Sequence, residues 1–169
     1  MSFFSKTLVT YHFTAKLMNN LYLFLTDQNC YESFNDYLIS KKQENDNGPF
    51  FLKLYTNIMK FKLYFVLNPN IKSFGQNEAR QLYTTFFEDE TYSRYFENPD
   101  IFIKIRRDAN GNLFNKNIFD EALQYAFNKL NNYFTDYKNS REYNILQAKI
   151  SLESYVRCKM VNSGLINKF

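Results

Sequence analysis

Residues 50–65 read FFLKLYTNIMKFKLYF and show the clearest helical pattern in the chain. Large apolar side chains recur at three- and four-residue steps, which places them on one side of a helix. The apolar positions are Phe51, Leu54, Tyr55, Ile58, Phe61 and Phe65. Lys53, Asn57 and Lys60 fall on the other side. The spacing predicts an amphipathic α-helix from about Phe50 to Phe65.

Similar steps recur in both directions from this segment. They predict further helices at about 8–17, 21–25, 30–40, 78–87, 92–96, 100–107, 118–130, 133–138 and 141–157. Asn77, Asn117 and Ser140 stand where N-caps are expected, and the Asn131-Asn132 pair predicts a short break. Lys41–Pro49 carries no apolar residue and is expected to be a solvent-facing loop. Because only 4 Gly and 3 Pro punctuate the chain, a many-stranded sheet is disfavoured and an all-α fold is predicted.

Length and composition favour one main domain. The chain has 169 residues, of which 45% are hydrophobic and 20% aromatic, enough to build a sizeable core. We expect an N-terminal helical extension at 1–17, a helical domain at 18–158 and a C-terminal tail at 159–169. The formal net charge of +4 is modest and does not by itself indicate nucleic-acid or membrane binding.

The N-terminus lacks the pattern of a secretory signal, and no apolar run approaches the roughly 18 residues that cross a bilayer. The two cysteines, Cys30 and Cys158, have no metal or redox spacing. We expect both to be buried free thiols in a reducing cytoplasm.

Catalytic motifs are missing from the sequence. The single histidine, His12, lies in an apolar helical stretch with no Ser or Cys nucleophile beside it. The glycines are too far apart for a phosphate-binding loop. Glu88-Asp89-Glu90 could bind a divalent cation but is better interpreted as a solvated helix end, and Arg106-Arg107 as a solvated surface. We therefore expect no chemistry of the chain's own, no cofactor and no metal.

Five segments, read in order, resemble the regulator of G-protein signalling (RGS) family over roughly residues 18–147. The loop after the first segment contains Glu44-Asn45, which matches the family's E-N pair. The segments are Phe34-Asn-Asp-Tyr37-Leu38, Leu54-Tyr55 through Lys60-Phe61-Lys62, Ala79-Arg80-Gln-Leu82-Tyr83-Thr-Thr-Phe86-Phe87, Ile118-Phe119-Asp120-Glu121-Ala122, and Tyr137-Lys-Asn-Ser140-Arg-Glu-Tyr143. The resemblance implies an all-α, RGS-like bundle of about nine helices.

The resemblance also implies a function. RGS domains make and break no covalent bonds themselves. They bind GTP-loaded Gα subunits and hold the switch segments in the conformation of the hydrolysis transition state. Since Gα carries its catalytic arginine in cis, the helper need not supply one. An asparagine suits this task because its amide both donates and accepts hydrogen bonds.

The family's contact positions map onto six residues here. Glu44 and Asn45 match the E-N loop, although the spacing from Asn45 to Leu54 is several residues longer than usual. Asn98, eleven residues past Phe87, is the candidate for the family's second switch-contacting asparagine.

The third contact segment departs most from the family's pattern. Counting back from Ser140, Asn132, Tyr133 and Asp136 stand where the family usually has Asp, Ser and Arg. The change from Arg to Asp reverses a charge in the expected interface, where like charges placed opposite each other cost several kcal/mol.

Two alternatives remain open at this stage. The chain could be an RGS-homology module that binds Gα or another protein without accelerating hydrolysis, which Asp136 and the longer loop favour. It could also be a membrane-surface adaptor that uses Lys6, Lys16 and the aromatic N-terminus. The expected partner is a Gα subunit in its GTP or transition-state form, and not a nucleic acid. The expected location is the cytoplasm, with peripheral attachment to the plasma membrane through that partner.

Overall fold

The computed structural model describes residues 18–42, 47–67, 75–111 and 114–162. These residues form seven α-helices and one 3-10 helix, with no strand among them. In chain order the helices are α1 (Leu21–Phe24), α2 (Gln28–Ser40), α3 (Gly48–Leu67), α4 (Gly75–Phe86), the 3-10 helix (Glu90–Tyr95), α5 (Pro99–Asn110), α6 (Asp120–Lys138) and α7 (Arg141–Asn162). The all-helical prediction is confirmed for this part of the chain. The helix predicted at 8–17 lies outside it, so the count of nine stays a prediction.

Helix α3 begins two residues earlier than predicted. The Asn47 side-chain oxygen accepts a hydrogen bond from the Phe50 backbone N–H at 3.2 Å, and its carbonyl accepts one from Phe51 at 3.2 Å. Pro49 fits the first turn because a backbone N–H there would have no partner within the helix. The expectation that the loop extends to Pro49 is therefore wrong, and the buried Gly48 already belongs to the helix.

Two other predicted caps and one predicted break are also wrong. Helix α4 begins at Gly75, which places Asn77 inside its first turn. Helix α6 begins at Asp120, whose N–H donates to the carbonyl of Asn117, so Ile118 and Phe119 form a turn before the helix. No break follows at Asn131-Asn132, because Leu130 and Phe134 continue the buried stripe past two asparagines on the exposed side.

Ser140 caps α7 as predicted, accepting a hydrogen bond from the Tyr143 N–H at 3.1 Å. The helix runs to Asn162, further than expected. Tyr143 and Leu146 are buried, which confirms them as core residues. Tyr155, expected to point inward, is 60% exposed, because the inward stripe of α7 fades after Ile150.

The chain divides into two compact units, one from Met1–Tyr37 with Phe134–Phe169 and one from Leu38–Tyr133. The first unit is built on an aromatic cluster of α1, α2, α6 and α7. Its rings are Phe24, Phe34, Phe134, Tyr137 and Tyr143, with neighbouring centroids 4.9–6.4 Å apart. The buried hydroxyls find partners, since Tyr137 shares a hydrogen bond with Ser33 at 2.7 Å and Tyr143 donates to the Met18 carbonyl at 3.0 Å.

The second unit has its own aromatic core. Phe119, which has no solvent exposure, meets Phe61 edge-on and stacks on Phe87, each at a centroid distance of 5.7 Å. Phe51 and Phe96 extend this core toward the 3-10 helix. The apolar residues Ile118, Phe119 and Ala122 of this motif segment are therefore buried.

We expect Phe119→Ala to lower the free energy of unfolding by about 3–5 kcal/mol, because it leaves a ring-sized cavity beside Phe61 and Phe87. Chemical denaturation measures the loss. Ile103→Ala, at a side chain 59% exposed on α5, is the control and should change stability by less than about 0.5 kcal/mol. A Phe119→Ala protein as stable as the control would contradict the core assignment.

Cys30 gives a second test of burial. Its thiol is buried beside Asp27, and burial, with the nearby carboxylate, raises its pKa from 9.0 to about 12. At pH 8 the reactive thiolate of folded Cys30 is then much scarcer than in the unfolded chain. Peptide-resolved iodoacetamide labelling should leave Cys30 unmodified until denaturant is added. Labelling at equal rates in both states would show that the thiol is accessible.

Candidate functional site

The turn between the 3-10 helix and α5 presents Asn98. Asn98 is exposed and caps α5, its Oδ1 accepting a hydrogen bond from the Asp100 N–H at 3.0 Å. Pro99 follows as the first residue of the helix, where it needs no backbone donor. The cap occupies the amide oxygen, and no described residue accepts a hydrogen bond from the Asn98 Nδ2. The chemistry that this side chain offers to a partner is therefore donation from its NH2 group.

Tyr125 of α6 holds this turn in place. Its hydroxyl accepts a hydrogen bond from the Glu97 N–H at 2.8 Å and donates to the Tyr95 carbonyl at 3.4 Å. The Tyr125 ring stacks on Phe96 with a centroid distance of 5.3 Å. Lys129, one turn further along α6, pairs with the Glu97 carboxylate at 2.6 Å. The backbone just before Asn98 is thus hydrogen-bonded to α6 at two residues, Tyr95 and Glu97.

Glu44 and Asn45 lie outside the described residues. Asn47, the first described residue after them, donates from its Nδ2 to the Tyr95 hydroxyl at 3.3 Å. Arg94 donates to the same hydroxyl at 3.4 Å. These hydrogen bonds, Arg94's first and Asn47's second, lower the pKa of Tyr95. Asn47, just before α3, is therefore hydrogen-bonded to Tyr95, which lies three residues before Asn98.

The other three predicted contact residues lie on α6. Asn132 and Asp136 are exposed and four residues apart, which places them on one side of the helix. Tyr133 is half-buried and follows Asn132. Asn132 and Tyr133 belong to the second unit and Asp136 to the first.

Asp136 forms no ion pair with another described residue. Its charge and that of Glu142, after the larger effect of burial, raise the pKa of Tyr37. Asp136 therefore presents an exposed carboxylate near the end of α6, where Lys138 also lies.

The acidic cluster Glu88-Asp89-Glu90 and the Arg106-Arg107 pair both make local hydrogen bonds or ion pairs. Asp89 caps the 3-10 helix by accepting from the Thr91 N–H at 2.9 Å, which lowers the pKa of Asp89. Glu90 pairs with Arg106 at 2.6 Å, and Arg107 with Asp108 at 3.2 Å. Within the described ranges, no group of three His, Cys, Asp or Glu side chains gathers as metal ligands. No helix in those ranges is long and apolar enough to cross a membrane.

Sequence reasoning missed Asn47, Tyr95 and Tyr125 as residues that support the candidate site. It assigned the two tyrosines to helical segments as aromatic residues like many others, and nothing in their spacing marks a hydroxyl that bridges two segments. Asn47 was hidden inside a stretch interpreted as loop.

No protein-family model, curated protein or solved structure matches this chain.

The bridge through Tyr125 can be tested without any partner. Tyr125→Phe removes one hydroxyl but keeps the ring, so we expect a stability loss of about 1 kcal/mol and faster hydrogen exchange at the Glu97 amide. Tyr92→Phe, next to Tyr95 in the same aromatic group, is the matched control. Unchanged protection at Glu97 in the Tyr125→Phe protein would refute the bridge.

Proposed function

We propose that this chain is an RGS-type domain that binds GTP-loaded Gα subunits and accelerates their GTP hydrolysis. The observation that carries the proposal is the order of five motif segments along one all-helical chain. They fall on α2, α3, α4, the start of α6 and the junction of α6 with α7, in the order in which the family has them.

Burial within these segments agrees with a shared fold. Most aromatic and aliphatic motif positions form core, whereas the polar positions between them are exposed or half-buried. The buried motif residues are Phe34, Tyr37, Leu38, Leu54, Tyr55, Phe61, Ala79, Leu82, Phe86, Phe87, Ile118, Phe119, Ala122, Tyr137 and Tyr143. The aromatic stripe at helical spacing would also suit an unrelated bundle, so the polar contact residues must discriminate.

Asn98 is the described residue best suited to touch a switch segment. Its NH2 group can donate to a backbone carbonyl or to a glutamine side-chain oxygen, and Tyr125 and the cap fix its position beforehand. Pre-positioned donors accelerate a reaction when they bind the transition-state conformation more tightly than the ground state. Each tenfold acceleration needs about 1.4 kcal/mol of such preference.

Asp136 supports a second candidate function. An exposed carboxylate where the family has a cation would repel a Gα surface that carries a negative charge there. A module that binds Gα or another protein without accelerating hydrolysis would tolerate this change. The test must therefore measure binding and hydrolysis separately.

The first experiment is single-turnover GTP hydrolysis by a panel of Gα subunits, with and without the protein. A pull-down with the GDP–aluminium fluoride form of each Gα accompanies it. Acceleration with selective capture supports the proposed function. Capture without acceleration supports the second candidate with Gα as its partner. The absence of both contradicts Gα binding and leaves an interaction domain for another protein.

We expect Asn98→Asp to reduce the acceleration at least about tenfold, or roughly 1.4 kcal/mol, with the melting temperature unchanged. Aspartate keeps the cap on α5 because its oxygen still accepts from Asp100, but it has no NH2 to donate. Asn128→Asp, at an exposed asparagine of α6, controls for the added charge. If Asn98→Asp accelerates hydrolysis as well as the control does, Asn98 has no role in the mechanism.

The same assay tests Asn45, which the resemblance assigns to the first switch contact. Asn45→Ala should also weaken acceleration about tenfold at unchanged melting temperature. If the Asn45→Ala protein accelerates GTP hydrolysis as well as the parent does, Asn45 has no role in the mechanism. The conclusion about Asn98 would not change.

A further inference from the structure

Helix α7 is apolar on two opposite sides. At 100° per residue, Tyr143 lies about 160° from the line through Ile145, Leu152 and Val156. Tyr143 and Leu146 are buried in the first unit. Ile145, Leu152 and Val156 are between 41% and 62% exposed. The helix therefore packs with one side and leaves a second apolar side uncovered.

The uncovered side is here called the α7 strip. Its residues are Ile145, Leu152, Tyr155 and Val156, which are four of the eleven large exposed apolar side chains among the described residues. From Ile145 to Val156 the strip is about 16 Å long at 1.5 Å per residue. A single exposed apolar residue is ordinary, but a strip of this length on one helix indicates a binding surface.

Cations border the centre of the α7 strip. Lys149 and Lys159 lie about 40° to either side of the Ile145, Leu152 and Val156 line, and both are exposed. The Lys159 ammonium lies 5.6 Å from the centroid of the Tyr155 ring. In total α7 carries four cations, Arg141, Lys149, Arg157 and Lys159, against the two carboxylates Glu142 and Glu153. None of these four cations forms an ion pair with another described residue.

This combination fits an anionic lipid surface better than a partner helix. In a helix pair, Lys149 and Lys159 would flank the apolar seam, and their ammonium groups would need carboxylates on the partner helix to pair with. At a bilayer, a lysine stem lies along the apolar boundary while its ammonium reaches the phosphate layer. Exposed Tyr155 suits the same layer, where one end of the ring is wet and the rest is apolar.

We propose that the α7 strip binds the surface of a membrane containing anionic lipids, with the helix lying in the plane of the interface. Leu152 and Val156 enter the acyl boundary, and Lys149 and Lys159 contact the headgroup phosphates. The packed side of α7, through Tyr143 and Leu146, connects the membrane-bound helix to the first unit. This inference does not depend on the proposed Gα binding.

Vesicle sedimentation with the full chain tests the proposal. Vesicles of phosphatidylcholine alone and vesicles with about 30% phosphatidylserine are compared at physiological salt. We expect the protein to sediment with the anionic vesicles at least tenfold more strongly than with the neutral ones. We also expect this binding to weaken as salt is raised, since the lysine contacts are screened.

Two double variants separate the contributions. Leu152→Glu with Val156→Glu should reduce binding to anionic vesicles at least tenfold, and Lys149→Gln with Lys159→Gln should reduce both the binding and its salt dependence. All four side chains are exposed, so circular dichroism should show unchanged helix content. Ile103→Glu, on α5 and 59% exposed, is the matched control and should bind like the parent protein.

Three results would overturn the proposal. The first is no sedimentation with anionic vesicles, or equal sedimentation with neutral ones. The second is full binding by the Leu152→Glu, Val156→Glu protein. The third is a concentration-dependent dimer of the parent protein in analytical ultracentrifugation that the same variant dissolves, which would assign the α7 strip to a second copy of the chain.

Discussion

A half-buried tyrosine, Tyr125, imposes the constraint on which the candidate site depends. A tyrosine ring gains free energy by leaving water, but its hydroxyl must then find a hydrogen-bond partner inside the protein. The Tyr125 hydroxyl satisfies this requirement with backbone on both sides of Phe96. It accepts a hydrogen bond from the Glu97 N–H and donates one to the Tyr95 carbonyl. The same packing that builds the core of the second unit therefore also fixes the turn that carries Asn98.

This arrangement explains why a loop asparagine can be rigid. An exposed amide on a free loop would lose conformational entropy on binding, which would offset much of its hydrogen bond. Asn98 has already lost that freedom, because its oxygen caps α5 and the preceding backbone is held by Tyr125. This conformational entropy is lost on folding, so the NH2 group of the exposed Asn98 has a defined orientation before any partner binds.

The sequence predicted what depends on periodicity. The stripes of α2 and α3 and the cap at Ser140 follow from local spacing, and the structure has all of them. Predictions about where helices start were weaker. Asn47 caps α3 only because Gly48 and Pro49 can form a first turn, and an Asn-Gly-Pro triplet read locally indicates a loop.

The supporting residues of the candidate site could not be predicted for a different reason. The hydrogen bond from Asn47 to Tyr95 joins residues 48 positions apart, and that from Glu97 to Tyr125 spans 28. Periodicity describes one helix at a time and contains no information on which hydroxyl meets which distant backbone group. The position of Asn98 at an N-cap can be predicted from the sequence, because Asn-Pro-Asp is a typical helix start. The hydrogen bonds of Tyr125 cannot, because they depend on the folded chain.

Helix α7 shows another limit of predicting burial from periodicity. Its sequence lacks a one-sided apolar pattern because apolar residues occupy two sides, so Tyr155 was assigned to the core along with Tyr143. Only the packing distinguishes the side that the first unit buries from the side left to solvent.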